Sequence, residues 1–197
     1  MRRHRKAEVR RETKETKIAL KIDLDGSGRH SIQTGIPFFD HMLSLLAYHS
    51  HMDLNLKAEG DIGVDAHHTV EDVGICLGDA IRKAIGEARG VRRYGMAMIP
   101  MDETLVSAAL DLSMRPWLVF RMKLRRSRIG NFDLELVEEF FRALCNHAGI
   151  TLHINLVYGR NSHHMVEAVF KAAGRALREA LSLDEQISHI PSTKGIL

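Results

Sequence analysis

The chain has two cysteines, no long apolar run and no low-complexity stretch, and each shortage removes a class of protein. No segment approaches the roughly 18–20 consecutive apolar residues that a membrane helix needs. The N-terminus, MRRHRKAEVRRETKETK, is charged and lacks the apolar stretch of a secretory signal, which points to a cytoplasmic setting and no membrane partner. Cys76 and Cys145 each sit inside an apolar pattern, as buried reduced thiols do, rather than in a disulfide or thiolate-metal arrangement. With no linker or compositional break, 197 residues fit one domain, or two halves sharing a core. The net charge of +3 is mildly basic, yet acidic residues are interspersed and no aromatics interleave with the basic clusters. That excludes a typical nucleic-acid surface and suits a small anionic substrate.

The chain is rich in histidine, with twelve. VDAHHTVEDVG (64–74) and RNSHHMVEAVF (160–170) write the same His-His-x-x-Glu figure near opposite ends. The surrounding periodicity explains the distance. TKIALKIDLDGSGRHSIQTGI alternates on both sides of Asp25-Gly26-Ser27-Gly28 and predicts a hairpin there. PFFDHMLSLLAYH predicts a helix, MDLNLKAEG a strand, and HHTVEDVGICLGDAIRKAIG a helix ending near Gly86. The second half repeats this order. MAMIPMDETLVSAALDLS and WLVFRMKL read as strands, DLELVEEFFRALCNHAG as a helix capped by Asp133, ITLHINLVYG as a strand, and SHHMVEAVFKAAGRALREAL as a closing helix. Two consecutive β-β-α-β-α units emerge, an internal duplication that predicts an α+β fold of sheets packed against helices.

Helical geometry divides the ligands of each motif. Residues four apart share a face and adjacent residues diverge by about 100°. His67 and Glu71 therefore point one way and His68 another; likewise His163 and Glu167 against His164. Each repeat offers a His/Glu pair to one site and a lone histidine to another. Nitrogen and carboxylate donors without thiolate suit an open-coordinated Mn, Fe, Co, Ni or Zn rather than a closed structural zinc. The preceding helix of each repeat can add His41 or, at the equivalent place, Glu139. His51 and His153 fall at strand positions and read as packing or supporting residues; His4, His30 and His147 read as surface. The order of residues is not the H-E-x-x-H of zinc proteases.

Basic residues beside glycine or small polar residues recur at Arg92 and Arg93, Arg115, Lys171, and the tail PSTKG with Ser192, Thr193 and Lys194. Together they could form an anion cradle. PSTKG lacks the upstream glycine of a nucleotide-binding loop.

GIPFFDHML, DAHHTVEDVGICLG, PMDETL, DLSMRP, GRNSHHMVEAVFKA and PSTKG, in this order and spanning nearly the whole chain, resemble the motif set of the imidazoleglycerol-phosphate dehydratases. The resemblance implies a single dehydratase domain built of two pseudo-repeats (10–90 and 91–185) and a substrate-binding tail (186–197), with a fold related to the second domain of ribosomal protein S5. It implies dehydration of D-erythro-imidazole glycerol phosphate to imidazole acetol phosphate in histidine biosynthesis, a homo-oligomeric shell of 24 subunits built from trimers, and two Mn2+ ions per subunit shared at subunit interfaces. The implied metal ligands are His41, His67, His68, Glu71, His163, His164 and Glu167, with Glu139 filling a place that is histidine in some members. The implied substrate contacts are Glu15, His49, Arg93, Arg115, Lys171, Ser192 and Lys194; the implied catalytic groups are Glu15, Glu167 and His41. Leu45 stands where many relatives show glutamine.

The chemistry needs such a set. The substrate's C2 proton is not acidic and its C3 hydroxyl leaves poorly, but a metal-held imidazole becomes an electron sink as the imidazolate. Two ring nitrogens give a reason for two metal sites and hence for a motif written twice. A metal-dependent hydrolase and a histidine-rich metal store are the rival readings; the anion cradle argues against storage.

Overall fold

The structure, a computed structural model, describes residues 5–124 and 126–196; His4 lies outside them. The first half runs β1 (Lys6–Glu12), β2 (Thr16–Asp23), β3 (His30–Gln33), α1 (Pro37–Ser50), β4 (Asp53–Gly60) and α2 (His67–Ile85). The second runs β5 (Tyr94–Met101), β6 (Thr104–Asp111), β7 (Trp117–Arg121), a short hairpin β8 (Arg128–Ile129) and β9 (Phe132–Asp133), α3 (Leu136–Ala148), β10 (Thr151–Tyr158) and α4 (Ser162–Leu181). The two sheets have matching orders, β1-β2-β4-β3 and β5-β6-β10-β7, so the duplication in the sequence is one in space.

Alternation builds each sheet. In β2, Ile18, Leu20 and Ile22 face inward while Lys17, Ala19 and Lys21 face out. Leu20 lies opposite Leu56 and Ile22 opposite Leu54; in the second sheet Ala108 faces Ile154 and Leu110 faces Leu152. Each fully buried aliphatic side chain contributes about 1.5–3 kcal/mol, so a one-residue slip in register would expose the whole inner row.

The expected hairpin at Asp25–Gly28 does not form. β3 pairs instead in parallel with β4, which inserts between it and β2. The hairpin partner of β2 is β1, which lies in the charged N-terminal segment. Alternation identifies a strand but carries no label for its partner, and the charged outer face of β1 hid its inward Val9. Asp133 is not a helix cap either. It lies in β9 and takes the guanidinium of Arg128, while α3 begins at Leu136 with no side-chain cap. His51 is not in a strand: it closes α1 in the left-handed conformation (φ 60°). His153 is in β10 but on its exposed face. His30 is exposed, and the half-buried His147 pairs with Asp79 at 3.0 Å.

The helices interlock the halves crosswise. α1 packs on α4 and α2 on α3, so each repeat's first helix lies against the other repeat's closing helix. Six of the seven phenylalanines gather at this seam: Phe38 and Phe39 from α1, Phe132 from β9, Phe140 and Phe141 from α3, and Phe170 from α4. Cys76 and Cys145 are fully buried free thiols, pushed by desolvation up to about 11 and about 12.

Two matched glycines permit the close crossing. A Cβ on Gly78 would stand 2.8 Å from the carbonyl oxygen of Leu144, and one on Gly174 would stand 2.9 Å from that of Leu46. In an open helix, glycine to alanine gains up to about 1 kcal/mol, but forced overpacking costs about 1–3 kcal/mol. Gly78→Ala is therefore expected to destabilise the chain by about 1–2 kcal/mol, read in a denaturant melt. A stabilised variant would show that the α2–α3 contact is not tight.

Candidate active site

Pro37 occupies the first turn of α1, where its missing N–H is harmless, and Asp40 accepts the Thr34 N–H at 2.9 Å and its hydroxyl at 2.5 Å. This start sets the face on which the next residue, His41, projects. Because α1 lies on α4, that face meets the second motif rather than the first. His41 Nε2 is 2.7 Å from Glu167 Oε1, and His163 Nε2 is 3.8 Å from the same oxygen. The ligand atoms of His41, His163 and Glu167 lie within 4.8 Å of one another. Helical spacing predicted the His163–Glu167 pair; the crossing of α1 and α4 adds His41 from the other repeat.

Glu167 is 7% exposed. Burial works against its charge, but hydrogen bonds from His41 and from Lys171 (Nζ to Oε2, 3.2 Å) outweigh it and hold the carboxyl below its ordinary value. Lys171 thus belongs to this cluster. His49, two turns beyond His41, is kept below the usual imidazole range by burial, and then by the charges of Lys171 and Arg175.

The first motif has the same internal geometry. His67 Nε2 lies 3.9 Å from Glu71 Oε2, and the ring of His68 stands at 87° to that of His67; in the second motif His163 and His164 stand at 89°. The adjacent histidines diverge as the helix dictates. Glu139 does not join His67 and Glu71 in a compact group; its carboxylate lies 3.6 Å from Arg142. Glu15 sits with Oε1 3.8 Å from His68 Nε2.

Two carboxylates were not anticipated. Asp61 Oδ2 takes His68 Nδ1 at 2.9 Å, and Glu103 Oε2 takes His164 Nδ1 at 2.8 Å. The duplication carried a signal for the second: Glu15 directly precedes the first residue of β2, Thr16, and Glu103 directly precedes the first residue of β6, Thr104.

Both imidazoles are held above the ordinary histidine value of 6.5, His68 chiefly by its hydrogen bond to Asp61 and His164 by that to Glu103. Glu103 is held well below its ordinary 4.5, first by His164. A raised folded value stabilises the fold below about pH 6.5, and this is lost as pH rises through it. A lowered carboxyl stabilises above about pH 4.5, and this is lost on acidification. The His164–Glu103 pair therefore contributes most between these limits. The difference in Tm between the metal-free parent and metal-free His164→Ala is expected to be larger at pH 6 than at pH 8.5. The comparison isolates the pair, because His49 and His51, lowered chiefly by burial, tilt the parent's own profile the other way. Equal differences at both pH values would rule the pair out as a source of stability.

The residues expected to bind an anion converge elsewhere. A cavity of about 780 Å³ is lined by Arg93, Arg115, Ser192 and Lys194, with His189 and Thr193 beside them. Residues distant in sequence meet because the tail folds back: the Arg93 guanidinium donates to Asp111 at 2.7 Å and to the Pro191 carbonyl oxygen at 2.8 Å. Arg93, with φ 73°, thereby pins the tail to the strand end. Four of the expected substrate residues line this cavity; Glu15, His49 and Lys171 lie with the histidine clusters instead.

A model of the imidazoleglycerol-phosphate dehydratase family matches residues 34–177. The chain is 59% identical over 191 residues to the imidazoleglycerol-phosphate dehydratase of an Exiguobacterium species, covering 97% of each chain. It is 58% identical to that of Acetivibrio thermocellus, covering 98% of this chain and 99% of the relative. The crystal structure of the Staphylococcus aureus enzyme superposes with a TM-score of 0.83 at 41% identity, covering 91% of this chain and 99% of that one. The Pyrococcus furiosus structure gives 0.82 at 36%, covering 96% and 100%. A duplicated α+β fold, two His-His-x-x-Glu helices and these matches agree: the chain belongs to the imidazoleglycerol-phosphate dehydratase family, hydro-lyases that carry out the dehydration step of histidine biosynthesis.

Proposed function

We propose that the chain converts D-erythro-imidazole glycerol phosphate to imidazole acetol phosphate by a metal-assisted elimination, with two divalent ions, manganese foremost, for each subunit. The observation that carries this reading is the convergence of His41, His163 and Glu167 within 4.8 Å from opposite repeats. Their donors fit such an ion: imidazole nitrogens and a carboxylate oxygen, without thiolate, match a hard or borderline divalent cation. His41, His163 and Glu167 would hold one ion; His67 and Glu71 would belong to a second set, to which Glu139, apart from them within one chain, would contribute only in the assembly. His68 and His164 point away from both and would complete sites with neighbouring copies.

When bound, the ion supplies Lewis acidity to a ring nitrogen, so that the ring accepts electron density as the C2–H bond breaks. The residues do the rest. Arg93, Arg115, Ser192 and Lys194 grip the phosphate, which orients the glycerol chain. Glu15 and Glu167 are the candidates to take the C2 proton and to protonate the departing C3 hydroxyl, which leaves as water; the resulting enol becomes the ketone. Lys171 and His41 hold the Glu167 carboxylate in its charged form.

Assembly follows from incompleteness. The phosphate cavity and the four histidine groups, at His41 with His163, at His67, at His68 and at His164, occupy separate places in one chain, and the half-buried His67 and His68 groups each offer too few donors. This supports a homo-oligomer, the 24-subunit shell of trimers, with metals at its interfaces. Among the described residues no helix is long and apolar enough to cross a membrane; this and the two reduced thiols support a cytoplasmic enzyme. Residues 10–90 and 91–185 would then be two halves of one catalytic unit and 186–197 its substrate-binding tail. The test is metal analysis and native mass of the purified protein before and after chelation, with turnover on the phosphorylated imidazole substrate. About two ions per subunit, lost together with activity and assembly, is the expected result; a particle that turns over and stays assembled after chelation overturns the reading.

A further inference from the structure

The contacts of Asp61 and Glu103 have an origin that the duplication makes visible. In the second half, Nδ1 of His164 is held by Glu103, from the turn between β5 and β6. The equivalent residue of the first half is Glu15, which stands before β2 as Glu103 stands before β6. Yet Glu15 does not hold Nδ1 of His68; Asp61, the first residue after β4, does. Gly60 and Gly159 hold matching places, a Cβ on the first meeting Thr16 and one on the second Thr104, so the counterpart of Asp61 is Arg160, a cation that cannot accept from an imidazole. The halves thus make the same bond from different places, with lengths of 2.9 and 2.8 Å. A contact inherited through duplication would come from the same place twice; one reached by two routes is required by what it does.

Both carboxylates are themselves fixed. Glu103 Oε1 accepts the N–H groups of Arg160 (3.1 Å) and Asn161 (2.6 Å), tying the β5–β6 turn to the start of α4. Asp61 donates its backbone N–H to the Glu15 carbonyl oxygen at 3.1 Å, and its Oδ1 is buried without a hydrogen-bond partner. That orphaned oxygen costs free energy and would be absent had a smaller residue sufficed. An ionised carboxylate can only accept, so each imidazole presents Nδ1–H to it, and in the neutral ring that a cation requires the lone pair is left on Nε2.

We propose that Asp61 and Glu103 are positioning residues that fix the ring orientation and tautomer of His68 and His164, so that Nε2 of each is the atom offered to a divalent cation. The proposal rests on the reading of these two histidines as metal ligands. In the first half the substitution has a second consequence: with Asp61 on Nδ1, the Glu15 carboxylate stands unspent on the Nε2 side, 3.8 Å away.

The experiment is Mn2+ binding to the full-length protein, followed by the electron paramagnetic resonance of free Mn2+, for the parent, Asp61→Asn, Glu103→Gln and His68→Ala. Loss of such a supporting partner lowers metal affinity by about 10–100-fold. Asp61→Asn and Glu103→Gln are expected to weaken one class of site by that factor at unchanged final stoichiometry, with Asp61→Glu restoring part of the loss. The d–d bands of the cobalt-loaded Asp61→Asn protein should shift while its far-ultraviolet circular dichroism does not, a signature that a purely structural role would not produce. Unchanged Mn2+ affinity in both carboxylate variants, with metal lost in His68→Ala, overturns the proposal and keeps the ligand reading. Undiminished binding in His68→Ala overturns both. Glutamine keeps an acceptor for the Arg160 and Asn161 N–H groups, and Asp61 is tested independently of them, so a folding defect in one variant leaves the other decisive.

Discussion

Glu15→Gln retains the full complement of metal and loses about 10²–10⁴ in kcat, the usual worth of a positioned general acid or base. Its carboxylate is half-exposed and lies 3.8 Å from Nε2 of His68, beyond hydrogen-bonding reach, so it is not consumed by that contact. The amide is isosteric and keeps the hydrogen bond that the Glu15 N–H makes with the Thr13 hydroxyl, so the turn before β2 is preserved. Stopped-flow or steady-state turnover beside metal analysis checks it. Full activity in the variant would remove Glu15 from the chemistry, and a parallel loss of metal would make it a structural element of the His68 group.

Glu167→Gln is expected to act on both metal and rate. Glu167 alone bridges His41, His163 and Lys171. Glutamine can still accept from Lys171 and meet His41, so the fold should survive; Glu167→Ala would instead strand the half-buried ammonium, at a cost of about 3–5 kcal/mol. What glutamine lacks is the anionic charge that pairs with a dication. If Lewis-acid stabilisation is worth several kcal/mol, kcat/KM falls on the order of 10³-fold. Equilibrium dialysis should show one site per subunit weakened and the other unaltered. A variant with both sites intact would move the first metal away from Glu167.

The same residues show how far each kind of reading reaches. His163 with Glu167 and His67 with Glu71 were legible because the 3.6-residue turn is a local rule: four residues apart means one face, whatever the fold. The divergence of His68 and His164 follows from the same rule and is seen in ring planes at 87° and 89°. The equivalence of His41 and Glu139 was legible from repeat order, but not their destinations. His41 meets Glu167 because α1 crosses to α4, while Glu139, its counterpart on α3, turns to Arg142. Helix order is written along the chain; helix partnership is set by which apolar stripes and glycine notches fit, with Gly174 against Leu46 and Gly78 against Leu144.

Strand pairing divides in the same way. MAMIPMDETLVSAALDLS, read from the sequence as one stretch of strand, folds into two, β5 and β6, a hairpin turned across two residues. β2 and β3 do not pair, because β4, arriving after a whole helix, inserts between them, antiparallel to β2 and parallel to β3. Likewise the cavity of Arg93, Arg115, Ser192 and Lys194 could be listed residue by residue but not located. The Arg93 side chain, reaching the Pro191 carbonyl, brings the tail to it.

The sequence by itself determined the family, the duplicated α+β architecture, the ligand types and their facing along each helix, since all of these depend on spacing and residue chemistry. Only the tertiary structure decided that the repeats exchange helices, that His41 closes on the opposite motif, and that Asp61 takes the Nδ1 contact that Glu15, the pseudo-symmetric mate of Glu103, leaves free. His41 and Glu167 are 126 positions apart, and at that range packing, rather than periodicity, chooses the partner; Asp61 and His68 are only seven apart, but across a loop whose path no periodicity sets.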